Sequence, residues 1–106
     1  MTVDNNRLLL ELDKRRREIN RDILNPAIPE LSLEDLDPVL TMVANARLAY
    51  IQELMEIAKL SPDDGPTVDQ IKQLRNFRIT YDELISAVNA LETVIQRDYL
   101  DVKKTR

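Results

Sequence analysis

The residues of this chain best equipped for chemistry are arginines and carboxylates, and they are suited to recognising charge more than to breaking bonds. The 106 residues include no His and no Cys. Ser32, Ser61 and Ser86 therefore have no imidazole to activate them, and Lys59 and Lys72 fall at or near helix ends on polar faces and show no sign of burial. A carboxylate-bridged di-iron bundle needs Glu-x-x-His pairs. Asp63-Asp64-Gly65 lacks the alternating ligands and terminal Glu of a calcium loop, and a single glycine rules out a Gly-rich phosphate cradle. These absences point away from an enzyme, a metal centre, a cofactor or a small-molecule substrate.

Three groups of residues remain. Arg47 stands seven after Leu40, four after Val43, four before Ile51 and seven before Leu54, in the middle of an apolar helical face. A guanidinium there needs a carboxylate or carbonyl partner. It can find one as an internal ion pair, by snorkelling to the rim, or in the acidic group of a partner chain. Ala44, Ala46 and Ala49 around it would let another helix approach closely. Lys14-Arg15-Arg16-Arg17, with Arg21, is the one dense basic run. On a helix its four consecutive members point four ways, and Glu11, Asp13, Glu18 and Asp22 stand at ion-pair spacing. That pattern describes a solvated, salt-bridged helix better than a nucleic-acid contact, with Arg15 and Arg16 the residues that could orient an acidic partner. The third group is Ile28, Leu31, Leu33, Leu36 and Leu40, interleaved with Glu30, Glu34, Asp35 and Asp37. Such a segment either tacks a loop over the end of a bundle or docks a partner through Leu33 and Leu36.

The elements that must carry these residues are helices. Asp4 caps a first helix over about 5–24, ended by Asn25-Pro26, with Leu8, Leu12, Ile19 and Ile23 as its apolar stripe. The stripe is interrupted where Arg15 or Arg16 falls close to its buried side, and Leu10 and Leu24 point nearer the opposite side. Residues 25–37 read as a connector with one short turn of helix. Asp37-Pro38, a cap before a proline, starts a second helix over about 38–60. Ser61-Pro62-Asp63-Asp64-Gly65-Pro66 is a turn. Thr67 with Gln70 forms a capping box opening a helix over 68–78, and Thr80 with Glu83 forms another, so a break near residue 79 and a last helix over 81–101 are expected. Against the break, Leu74, Phe77, Tyr81, Leu84, Val88, Leu91 and Ile95 keep an unbroken alternation of threes and fours, compatible with one long helix. Residues 102–106 read as a frayed tail.

The fold expected is all-α: a single-domain, small antiparallel bundle of three long helices, or four if the chain breaks near Thr80. The net charge of −4 is concentrated between residues 25 and 66, which sum to −6, while the segments on either side each sum to +1. An acidic chain is poorly matched to phosphate backbones. Its apolar runs are also too short for a membrane span or a signal-peptide core. A cytoplasmic, non-enzymatic helical interaction module is the expectation, its partner another protein or a second copy paired through leftover apolar residues such as Leu10, Leu24 and Leu100. The rival is a small nucleic-acid-binding regulator using the basic run and the Lys103-Lys104-Arg106 tail.

Overall fold

A computed structural model describes residues 2–61 and 63–103. The chain is all-α. Its three helices are α1 (Thr2–Ala27), α2 (Leu33–Leu60) and α3 (Val68–Gln96), and the described residues contain no strand beyond an isolated parallel bridge between Leu31 and Val102. Two compact units divide it: residues 1–36 with 90–106, and Asp37–Asn89.

The second unit is a hairpin of the main lengths of α2 and α3, turned by the segment in which Gly65 takes a φ of 77°. A side chain at Gly65 would touch nothing, so the backbone angle alone favours glycine there. The expected Thr67–Gln70 capping box is present: the Thr67 N–H donates to Gln70 Oε1 at 2.7 Å and the Gln70 N–H to Thr67 Oγ1 at 3.1 Å. Ser61 Oγ also donates to Gln70 Oε1, tying the end of α2 to the start of α3. The seam of α2 runs through Val39, Val43, Ala46, Tyr50, Glu53 and Ile57 in steps of four and three, with Val43 and Ile57 buried. Against it α3 turns Leu74, Phe77, Tyr81, Leu84 and Val88.

The expected break near residue 79 does not occur. Thr80 caps nothing; its Oγ1 donates back to the Asn76 carbonyl at 3.3 Å, the alternative a hydroxyl takes inside a helix. With neither Gly nor Pro after Pro66, the continuous stripe overrides the local start signal. The start of α2 is also corrected, from Asp37-Pro38 to Leu33. Ser32 and Asp35 form a reciprocal cap, Asp35 N–H to Ser32 Oγ at 3.2 Å and Ser32 N–H to Asp35 Oδ2 at 2.9 Å, so the expected short turn becomes the first turn of α2 and Pro38 lies inside the helix. The hydrogen bond that the carboxylate accepts from the Ser32 N–H, and after it the Ser32 side chain, hold the Asp35 carboxyl below its ordinary pKa.

In the first unit the expected helix to 101 and frayed tail give way to a fixed turn. At the end of α3 the Tyr99 N–H donates to the Val94 carbonyl at 3.0 Å and the Asp98 N–H to Ile95 at 3.1 Å, the two bonds of a Schellman cap. Asp98 fills the left-handed position at φ 62°, which Asp tolerates better than most residues. The turn delivers Tyr99 and Leu100 into the most buried places in the described chain, with Leu100 only 1% exposed. It also brings residues 101–103 alongside Leu31, whose N–H donates to the Asp101 carbonyl at 3.1 Å and whose carbonyl accepts from Lys103 N–H at 2.6 Å. Residues 104–106 lie outside the described residues.

From α1, Arg21 reaches this tail. Its guanidinium donates to the Asp98 carbonyl at 2.7 Å and pairs with the Asp101 carboxylate and, at 3.4 Å, with that of Asp98. Asn25 and Asp101 exchange two further hydrogen bonds, through the Asp101 N–H at 2.9 Å and Asn25 Nδ2 at 3.3 Å. α1 also continues past the expected stop at Leu24 to Ala27, with Pro26 in its last turn. The Ile28 N–H still reaches the Leu24 carbonyl, so the ladder passes the proline with the loss of one donor.

Three outcomes test this arrangement, two by denaturant unfolding and one by amide exchange. Leu100→Ala costs about 2–4 kcal/mol, the range for emptying a fully buried leucine site. Thr80→Ala is neutral or stabilising by up to about 0.7 kcal/mol, as for an interior helical position, whereas an N-cap there would lose about 1 kcal/mol. The depressed pKa of Asp35 contributes stability that is complete above the unfolded carboxyl value of about 4 and is lost as pH falls through the folded one. The protection of the Leu33–Leu36 amides, taken relative to their intrinsic exchange rate at each pH, therefore falls on acidification, and Asp35→Asn removes most of that dependence.

Candidate interaction surfaces

Helix α1 turns the opposite face inward from the one its apolar stripe marks. Asp13, Asn20, Arg21, Leu24 and Asn25 are its half-buried positions, whereas Leu8, Leu12, Ile19 and Ile23 are exposed, Leu8 to 64% and Ile23 to 66%. At 100° per residue the two faces lie roughly 150° apart round the helix. The expectation that the stripe is the buried side is thus overturned, and the cause is the Arg21 and Asn25 clasp, which sets the rotation of α1. Leu24, expected on the far side, is on the packed face, and Leu10 is exposed.

The basic run is largely occupied with its own helix. Arg15 pairs with Glu18 at 3.6 Å, Arg16 with Asp13 at 3.6 Å and Arg17 with Asp13 at 3.7 Å, while Arg97 approaches Asp13 at 3.9 Å. The pairs are exposed and individually weak. Arg21 belongs to the clasp and is lost to any external partner. Arg15 and Arg16 flank the outward stripe; Glu11 and Asp22, expected to join the ion-pair lacing, have no ion-pair partner among the described residues.

Arg47 is not buried in a seam. Its side chain is exposed, donating from Nε to the Tyr81 hydroxyl at 3.2 Å with its guanidinium carbon 5.4 Å from the centre of that ring. Tyr50 and Tyr81 stack in turn, centroids 6.2 Å apart. The seam lies one position round, at Val43, Ala46 and Tyr50, which leaves Leu40, Arg47, Ile51 and Leu54 as a ridge beside it, all exposed. Arg47 has no carboxylate partner among the described residues, so it carries its charge into the open.

Beside that ridge the hairpin forms a groove. A hollow of about 330 Å³ is lined by Tyr50, Ile71, Leu74, Arg75 and Arg78, and an adjoining one of about 170 Å³ by Tyr50, Ile51, Leu54 and Leu74. They share Tyr50 and Leu74 as walls. Arg78 pairs with Asp82 at 3.9 Å; Arg75 has no carboxylate partner among the described residues. Sequence reasoning missed Arg75 and Arg78, which lie on a polar-looking ridge of α3 and gain meaning only beside α2.

The acid-framed leucines are divided. Leu31 is half-buried and bonded to the tail, Leu36 is half-buried, and Leu33 is exposed on the first turn of α2. Leu33 and Leu36 therefore do not form a shared surface. Among the described residues no group of three or more His, Cys, Asp or Glu is placed to hold a metal ion, and no helix is long and apolar enough to cross a membrane.

Arg47→Ala is expected to cost less than about 1 kcal/mol in chemical denaturation, the scale of an exposed cation–π contact, and to leave the helical circular dichroism unchanged. A loss of 3–5 kcal/mol would indicate a buried ion pair instead.

No family model, curated protein or solved structure matches this chain.

Proposed function

We propose that this chain is a non-enzymatic helical interaction module, an adaptor or assembly factor in the cytoplasm, whose partner is another protein or a second copy of itself. The observation that carries the reading is the outward apolar stripe of α1: Leu8, Leu12, Ile19 and Ile23 at helical spacing, exposed along a helix whose other face is already committed to a polar clasp. A contiguous apolar surface rimmed by charge is the mark of an interface. The ridge of α2 and the groove beside it offer a second such surface, with Arg47 placed to meet a carboxylate.

Nucleic-acid binding is disfavoured by what the arginines of α1 already do. Arg21 is held by Asp98 and Asp101, and Arg15, Arg16 and Arg17 each have a carboxylate within 3.7 Å. Displacing those carboxylates would offset much of the gain from counterion release.

Affinity capture of the tagged chain from its native cells, with and without nuclease, tests the reading. A stoichiometric protein or a second copy retained after nuclease is the expected result, and Ile19→Ser with Ile23→Ser should abolish it while leaving helicity intact. Partners that vanish with nuclease would replace this reading with the nucleic-acid one.

A further inference from the structure

Resting on that reading, we infer that the hollows between α2 and α3 seat an acidic amphipathic helix of another protein, with carboxylates one turn apart meeting Arg75 and Arg78 and an apolar side chain entering beside them. Every observation behind this lies within the hairpin. The larger hollow has Arg75 and Arg78 as its only charged walls, and the smaller has no charged wall at all. Their shared walls, Tyr50 and Leu74, are half-buried, while Ile51, Leu54 and Ile71 remain exposed. The surface is therefore apolar on its α2 side and cationic on its α3 side.

Charge says what covers it. Residues 37–89 carry eight carboxylates against five cations, yet none of those carboxylates lines either hollow. Arg75 has no carboxylate partner among the described residues. Arg78 makes one exposed contact, 3.9 Å to Asp82, which is weak and readily exchanged. An incoming carboxylate gains charge-assisted hydrogen bonds from either guanidinium. The surroundings also select the form of the anion. A long phosphate polymer would run on past Asp69 and Asp82 of the same helix, whereas a short acidic segment ends at the arginines and is screened from charges more than about 8 Å away.

Spacing fits a helix. Arg75 and Arg78 stand three residues apart on α3, about 4.5 Å along its axis, which is the spacing of two carboxylates at i and i+3 on a partner helix. Ile71 to Arg78 is about 10 Å of helix, so the site engages roughly two turns of its occupant. An amphipathic helix laid along a groove presents residues at i, i+3 and i+4 to it, so one face supplies both the carboxylates and the apolar anchor.

The test is selection of random peptides, displayed at a length of about four helical turns, on the full chain and on its Arg75→Glu, Arg78→Glu variant. Both positions are exposed, and circular dichroism checks that the helices of the variant persist. The native chain should enrich Asp or Glu at three- or four-residue spacing beside Leu, Ile or Phe, and the variant should enrich Lys or Arg instead. A synthetic peptide of the native chain's winning sequence should bind the variant at least about 10-fold more weakly, and should shift the amide resonances of Tyr50, Leu54 and Ile71 in the native chain. No enrichment, enrichment without acidic bias, undiminished binding to the variant, or shifts confined to α1 would overturn the inference. So would a light-scattering dimer that the two substitutions dissolve, which would put a second copy in the groove, or oligonucleotide binding that they abolish, which would make it a phosphate site. If peptide binding fails while capture of a nuclease-resistant protein through Ile19 and Ile23 persists, the interaction reading stands without this site.

Discussion

The rotation of α1 is set by one polar contact, and much else follows from it. Arg21 lies on the carbonyl and carboxylate of Asp98 and on the carboxylate of Asp101, while Asn25 trades two hydrogen bonds with Asp101. A guanidinium with several acceptors held in a capped turn is more directional than any leucine contact, because hydrophobic burial does not specify orientation. Satisfying these groups requires the 13, 20, 21, 24 and 25 face of α1 to turn inward. The price is that Leu8, Leu12, Ile19 and Ile23 remain in solvent.

The same tension appears in the hairpin. α2 carries more apolar residues than a single seam can cover, and α3 covers the line through Val43, Ala46, Tyr50 and Ile57. Ala46 and Tyr50 win that seam over Arg47 and Ile51 because a small residue allows the backbones to approach, while the tyrosine ring stacks on Tyr81. Arg47 then lies over that ring from the side. What looks in sequence like an arginine inside a core is an exposed arginine resting on Tyr81, one step round the helix from the seam.

Helix identity was legible in the sequence, and so was the Thr67–Gln70 cap, because both rest on local chemistry. Errors arose where two local signals competed. Asp37-Pro38 outranked Ser32–Asp35 on paper since a proline at the first helical position is the stronger sign, yet an aspartate three residues after a serine can close the same reciprocal cap. Thr80 read as a cap although its hydroxyl has an equally good partner one turn back. The Schellman turn was invisible because Asp98 replaces the usual glycine, though the apolar pair Tyr99-Leu100 beyond it was a sign that the chain returns to the core. Arg47, Arg15 and Arg16 stand out in the sequence by their positions, and all three are exposed. The outward stripe was found but assigned to the wrong side, since periodicity identifies a face without saying what lies against it.

That last failure has a physical meaning for the proposed interaction. An amphipathic stripe on a helix is ordinarily the record of what the helix packs against in its own chain. When the chain spends a different face on its internal contacts, the stripe retains its free energy of burial for another surface, and the same holds for the ridge and hollows of α2 and α3. A pair of helices has one seam in which to bury side chains; among the described residues of this unit only Val43 and Ile57 are buried, each still 7% exposed. A partner that covered these faces would couple the stability of the chain to association through mass action. Association would then be part of how the chain folds.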